Sequence, residues 1–508
     1  MPTSELSPDS IDKRTTALLF AALFAILLAS RLCHTDILWA DEDYHQAAAM
    51  QILHGKVLYR DLWYDKPPLN VAVYALFGAA GGVVLRVASA VYAWLVCAAA
   101  SHFASRLWSR REGLIAASLA AFFLIFYFPA ATITLEPDTL MILPHLWAVY
   151  LAWQRRPFAA GIVAGLAMLL NVKGIFVLAE AFALCAFSWT ALGWLAVGFL
   201  IPNAAGLVWL QTQGALAGYI EQVWRWGLLY TGSPASFATG VARLGNWTAF
   251  HAALVIAAVW CWWEDSEWRP RWIGWTVISL AGAAVGWRFL PRYMDQLLPP
   301  LIIPASHGFA LVAASRGFAL DAAFREFTQA RGTKLRALEA ALAVTLLIPV
   351  IRFGPRYAIL AAETTRGAPH TWTDTAMDRD SHAAAGVILK ISSPHSTLFV
   401  WGYRPNIFVY THLAAASRFW DSQPLTGVPA DRHLGDDQAI FGNSAARWLA
   451  ENRAELTRSH PDFIADGLSL YNPRLDIHRY PDLAPWLAGY CEAERTTGTI
   501  IYRRCEPR

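Results

Sequence analysis

The chain has 508 residues, of which 56% are hydrophobic and 16% charged, with 24 tryptophans and a formal net charge of +3. Soluble globular domains carry about 25% charged residues, so this composition excludes an ordinary soluble enzyme and, with its repeated long apolar runs, places the chain in a bilayer. The small net charge, with arginines scattered among short loops, excludes a nucleic-acid partner.

Residues 1–14 are a polar tail ending in Lys13-Arg14. The apolar run that follows, 15–33, lacks a small-x-small cleavage site and reads as a retained first helix, not a signal peptide. Further runs at 83–105, 113–129, 139–154, 158–172, 174–189, 191–210, 247–263, 272–288, 296–314 and 336–352 bring the expected total to about eleven spanning helices. The run 69–78 is too short to span and is expected to lie in the interface or re-enter the protein. The break at Asn171-Val-Lys173-Gly174 reads either as a loop between two spans or as a kink. With the N-terminus inside, the inner loops collect Lys13-Arg14, Arg106, Arg110, Arg111, Arg155, Arg156, Arg269, Arg271 and the arginines from 316 to 336. That asymmetry follows the positive-inside rule and puts the loop 34–82 outside. An odd helix count puts the C-terminus on the same side, the periplasm of a bacterial inner membrane.

Beyond residue 352 charge, Pro and His rise and the apolar runs shorten to strand length at 397–401, 406–410, 463–465 and 499–502, with helices expected at 381–391 and 443–455. The expected architecture is therefore an α-helical polytopic membrane domain, 15–352, followed by an extracytoplasmic α/β domain, 353–508. Cys491 and Cys505 flank a short segment there; they join two hairpin strands in an oxidising compartment, or stay free thiols. Cys97, Cys185 and Cys261 lie in apolar runs and read as small core residues.

The chemistry concentrates in the outer loops. Asp41-Glu42-Asp43 follows the first helix, Tyr64-Asp65-Lys66-Pro67-Pro68-Leu69 comes later in the same loop, and Glu136-Pro137-Asp138 opens the fourth helix. Lys173, Arg288 and Arg292 bring positive charge to the same side. Ionisable groups at membrane depth are costly and mark function by default. A site with both signs suits a reaction in which a carboxylate takes an acceptor's proton while lysine and arginine hold an anionic leaving group. Each residue also has a plainer reading: Asp41 and Asp138 as helix caps, Lys173 as a snorkelling helix-end lysine, Arg292-Tyr293 as an interfacial anchor. Trp224, Trp226 and Tyr230 are the aromatics best placed to meet a substrate. His34 and His45 straddle the acidic run, but no Cys/His spacing for a metal is present, nor a Walker loop, a Gly-x-Ser-x-Gly elbow or a dinucleotide fingerprint. A lipid-linked sugar donor therefore fits better than a nucleotide sugar.

Taken in order, Asp41-Glu42-x-Tyr44, Tyr64-x-Lys66-Pro67-Pro68-Leu69, Arg86, Glu136-Pro137-Asp138, Lys173-Gly174 and Arg292-Tyr293 before Pro299 resemble the GT-C glycosyltransferases. The likeness is to the broad protein-mannosyltransferase and aminoarabinose-transferase superfamily and runs through residues 15–350. It implies eleven to thirteen helices with two juxtamembrane helices in the first outer loop. The implied activity is transfer of a sugar from a polyprenyl phosphate, with inversion, to a lipid, glycan or protein of the cell envelope. Asp41 would be the general base with Glu42 supporting it. Tyr64, Lys66, Lys173, Arg292 and Tyr293 would bind the donor phosphate, and Glu136 or Asp138 would orient acceptor or sugar. An acceptor that is already anionic needs no base. No cofactor is required, since Lys and Arg supply the positive charge; a divalent cation bridging carboxylate and phosphate is the alternative. The Glu-Pro-Asp motif departs from the superfamily's usual second acidic motif, and the C-terminal domain has no recognisable sugar-binding repeat. Two other classes stand beside this one: a transporter or flippase of a lipid-linked glycan, and a non-catalytic membrane scaffold for envelope assembly.

Overall fold

The computed structural model describes residues 12–185, 188–232, 235–313, 332–370, 372–440 and 445–505. The tail before residue 12 and most of the arginines from 316 to 336 lie outside the described residues. The chain forms two compact units interleaved in sequence: Met1–His34, Leu85–Ala204 and Ala235–Ala368 in one, and Thr35–Val84, Ala205–Pro234 and Pro369–Arg508 in the other. The second unit thus takes the segment after the first helix together with the C-terminal region.

Among the described residues, the first unit is built from helices alone. Helix Arg110–Phe123 starts where the Ser109 hydroxyl accepts the Arg111 N–H at 3.1 Å. Helices Pro137–Trp153 and Pro157–Leu170 open on proline, whose missing N–H costs nothing in the first turn. Helices Ala252–Glu264 and Leu298–Ala313 touch backbone to backbone: a Cβ on Gly308 would stand 2.1 Å from the Ala257 carbonyl oxygen. Arg31 is fully buried and donates to the Leu124 and Thr132 carbonyls at 3.1 and 3.2 Å, which close two short helices. Arg86 Nε donates to the His34 carbonyl at 3.0 Å.

Among the described residues, five helices are long and apolar enough to cross a membrane: Lys13–Leu32, Gly82–Leu107, Trp189–Thr212, Pro291–Ala313 and Leu335–Arg366. A sixth span arises if Phe237–Phe250 and Ala252–Glu264, bent by 80°, count as one. The chain is a multi-pass membrane protein, but the expected eleven full-length spans are not confirmed. The other expected spans are helical yet short, such as Arg110–Phe123 with 14 residues and Gly174–Leu184 with 11. At 1.5 Å per residue neither reaches the roughly 30 Å of a hydrocarbon core.

The second unit holds two helices from the segment after the first long helix, Glu42–Leu53 and Leu69–Leu76, and a five-stranded sheet. Its strands are β1 (Thr397–Trp401), β2 (Ala414–Ala415), β3 (Phe463–Asp466), β4 (Tyr490–Arg495) and β5 (Ile500–Arg504), in the order β2-β1-β3-β5-β4. β1 pairs parallel with β2 and β3, while β5 runs antiparallel to β3 and β4. β3 is buried along its whole length, as an apolar strand inside a sheet should be. β4, the edge, carries the exposed Glu492, Glu494 and Arg495. Cys491 and Cys505 form a disulfide across this hairpin. The expected strand at 406–410 is instead the helix Asn406–Thr411. Pro405 sits at its N-cap with φ −65°, and a short run buried on every side has no period to separate strand from helix.

Candidate active site

Three of the expected phosphate ligands gather in the first unit. Lys173 occupies the N-cap position of helix Gly174–Leu184, with its N–H donating to Asn171 Oδ1 at 3.1 Å. Gly174 is required there: a Cβ would lie 2.4 Å from the Met168 nitrogen. Lys173 Nζ donates to Asp138 Oδ1 at 2.9 Å and sits 3.2 Å from the centre of the Tyr293 ring. Arg292 Nε lies 3.3 Å from Glu136 Oε2. Arg292 and Tyr293 belong to a 3-10 turn, Pro291–Leu297, whose three-residue repeat puts Asp295 under Arg292 and Gln296 under Tyr293. Gln296 Nε2 donates to Asp138 at 3.3 Å, and the Thr139 hydroxyl donates to Asp295 at 3.3 Å. Trp287 and Phe289, just before this turn, hold φ of 52° and 43°, the left-handed region that costs side chains of this size most. Deeper in the same unit, Glu180 Oε2 is 2.5 Å from His145 Nε2, which accepts the Trp275 N–H at 2.9 Å, and Ser279 donates to Glu180 at 2.6 Å.

These contacts remove several of the plainer readings. Neither Glu136 nor Asp138 makes a side-chain capping bond to its helix. Lys173 is buried against a carboxylate, so it does not snorkel.

The second unit holds Asp41, Glu42, Tyr64 and Lys66. Asp41 precedes helix Glu42–Leu53 with φ 75° and ψ −48° and makes no capping bond. A non-glycine residue held there stores about 1–3 kcal/mol, the kind of strain that clusters at functional sites. Glu42 and Asp43 are buried, while Asp41 is partly exposed. Burial and the neighbouring Asp41 carboxylate push the Asp43 carboxyl well above its usual range. Asp41 is the most accessible carboxyl of the run. The Tyr403 hydroxyl stands 3.5 Å from Asp41 Oδ1. Tyr44 is stacked between Tyr64 and Trp420, with ring centres 5.1 and 5.0 Å away. Tyr64 is fully buried, its hydroxyl 2.6 Å from His45 Nδ1. Lys66 is more open and pairs with Asp65 at 2.9 Å. Trp226 is buried against Trp63 and Trp448, a core residue in place of a substrate platform.

Asp295, Gln296, Tyr403, Asn406 and Asp378 were not among the expected site residues. Asp295 carried a usable signal, an acid in a membrane-depth segment three residues after Arg292. The C-terminal contributors carried none, because their meeting with residues near 40 depends on the tertiary fold. Among the described residues, no group of three or more His, Cys, Asp or Glu is arranged to hold a metal ion.

No family model and no curated protein matches the chain. Solved structures do. ArnT from Cupriavidus metallidurans bound to undecaprenyl phosphate matches 98% of this chain over 100% of its own, with TM-score 0.58 at 14% identity. The apo state of the same protein matches with TM-score 0.55 at 15% identity, over 97% of this chain and 99% of its own. The Archaeoglobus fulgidus oligosaccharyltransferase in the apo form matches with TM-score 0.51 at 13% identity, over 98% of this chain and 75% of its own. At such identities the likeness is one of fold.

Proposed function

From a chain with the GT-C fold, we propose an integral-membrane glycosyltransferase that moves a sugar from a polyprenyl phosphate to an envelope lipid, glycan or protein. The membrane would be the bacterial inner membrane, and the reacting face the extracytoplasmic one. The observation that carries this reading is the cluster of buried Lys173, Glu136 and Asp138 with half-buried Arg292 and Tyr293. Two cations held at membrane depth by carboxylates suit a lipid phosphate, which takes over the cations and releases the carboxylates towards sugar hydroxyls. The match to ArnT, a protein solved with undecaprenyl phosphate, supports the same donor.

In the proposed step Asp41 takes the proton of an acceptor hydroxyl, with Glu42 behind it. The acceptor oxygen bonds to the anomeric carbon as the bond from that carbon to the phosphate oxygen breaks, with inversion. The electron pair leaves on the polyprenyl phosphate, whose charge Lys173 and Arg292 stabilise without a resident metal. Lys66, with Tyr64 beside it, is a further phosphate contact in this reading. Glu136 and Asp138 orient the sugar.

The test uses purified chain in nanodiscs, undecaprenyl phosphate as binding probe, and a panel of labelled undecaprenyl-phosphate hexoses and pentoses offered with envelope lipids, glycans and proteins. Asp41→Asn should cut transfer by about 10²–10⁴-fold and leave undecaprenyl phosphate binding intact. Transfer at the wild-type rate would remove Asp41 as the base, and no binding of undecaprenyl phosphate would remove the donor class. A transporter reading is favoured by one observation, the buried His145–Glu180 pair. It requires labelled lipid-linked sugar to cross proteoliposomes containing the chain with no transfer to acceptor.

A further inference from the structure

Asp41 is held in a conformation few side chains adopt, and its flanks are tied to one carboxylate from the far end of the chain. Three residues before it, the Leu38 N–H donates to Asp378 Oδ2 at 3.2 Å. Next to Leu38, Trp39 Nε1 donates to Asp374 at 3.2 Å. Two residues after Asp41, Asp43 Oδ2 accepts the Asn406 N–H at 3.2 Å. The Asn406 side chain closes the ring, donating to Asp378 Oδ1 at 2.9 Å. That same oxygen accepts the Tyr410 hydroxyl at 2.6 Å.

One carboxylate therefore anchors both sides of the strained turn, Leu38 directly and Asp43 through Asn406. Its own mount is rigid. Asp378 lies in the first turn of helix Ala376–Ile391, and Asn406 opens the helix that follows β1. Between these helices the fully buried Arg404 donates to Ser381 at 2.6 and 2.9 Å and to Thr499 at 2.6 Å, and pairs with Asp380 at 2.8 Å. A strained backbone persists only where its surroundings over-determine it, and this ring of bonds meets that requirement.

We propose that Asp378 and Asn406 are positioning residues that hold Asp41 in its working conformation, so that the C-terminal region is part of the catalytic apparatus. The proposal rests on the reading of Asp41 as the base. The chemistry asks for an acid at 378: three donors converge on its two oxygens, and an amide has one acceptor oxygen. Asp378→Asn keeps the volume and turns an N–H donor towards either Leu38 or Asn406.

The experiment is hydrogen exchange by mass spectrometry on the full chain in nanodiscs, paired with sugar transfer from whichever undecaprenyl-phosphate sugar the wild type uses. In Asp378→Asn the peptide covering 37–44 should exchange about tenfold faster, while peptides over β1 and β3 keep their protection. Transfer should show kcat lowered about 10²-fold with the donor KM within about twofold, since displacing a base does not loosen the phosphate. Asn406→Ala should show the same pattern more weakly, because its backbone bond to Asp43 survives. Exchange over 37–44 at the wild-type rate overturns the clamp, and so does equal loss of protection over the sheet, which marks a merely structural acid. Retained transfer in Asp41→Asn overturns the base itself, a failure distinct from either of these.

Discussion

Lys173→Met separates binding from architecture in the first unit. Lys173 and Asp138 are 8% and 4% exposed and 2.9 Å apart, so the methionine leaves a buried carboxylate with Gln296 as its remaining neutral donor at 3.3 Å. Breaking one side of a buried pair costs roughly 3–5 kcal/mol. Asp138→Asn added to Lys173→Met removes the stranded charge, and most of that loss should return. A lysine bond to phosphate contributes roughly 1.5–3 kcal/mol, or about 10- to 10²-fold in affinity. The double variant should therefore regain its unfolding midpoint in nanodiscs yet bind undecaprenyl phosphate about 10- to 10²-fold more weakly than wild type. If the double variant recovers affinity along with stability, Lys173 is a strut and the phosphate site lies elsewhere.

Two further expectations concern the second unit. Asp421 is fully buried, and burial pushes its carboxyl up to about 7. Between about pH 4 and 7 the folded chain thus holds a proton that the unfolded chain has released, and stability falls as pH rises through that window. Asp421→Asn should flatten the fall, with a gain of up to about 4 kcal/mol at pH 8, read as a higher thermal midpoint at pH 8 and little change near pH 4; a variant as pH-sensitive as wild type would refute this. Removing the disulfide with Cys491→Ser and Cys505→Ser, which are 14 positions apart, should cost roughly 3 kcal/mol. The loss should appear first as faster exchange in the β4–β5 hairpin, and undiminished protection there would count against it.

The order of helices was legible because apolar runs mark helices in a membrane whatever their neighbours do. Several bounds were legible too, as at Pro137–Trp153 against 139–154 and Pro157–Leu170 against 158–172, whereas the runs expected at 113–129 and 174–189 give the shorter helices Arg110–Phe123 and Gly174–Leu184. The helix at 406 was not legible: a short, wholly buried segment has no polar face from which to read a period. The grouping of loop 35–84 with the C-terminal region was beyond sequence reasoning altogether. Its bonds join Leu38 to Asp378 and Asp43 to Asn406, residues some 340 and 363 positions apart, and composition carries no trace of such pairs.

The charges themselves were visible, but their partners were hidden in a spacing that an apolar-window reading passes over. Asp138 and His145 are seven residues apart on helix Pro137–Trp153, and Lys173 and Glu180 are seven apart on helix Gly174–Leu184. Seven residues is about two turns, so each pair shares one helix face. Asp138 meets Lys173 and His145 lies against Glu180, with acid and base exchanged between helices from one level to the next. Two contacts at matching depth make these helices parallel, with Pro157–Leu170 running back between them. They also fix the register. A slip of one turn would separate Asp138 from Lys173 and His145 from Glu180 together, breaking both buried contacts at once. The His145–Glu180 level thereby sets the height of Lys173 in the proposed phosphate site, although neither residue stands among those that would touch the phosphate.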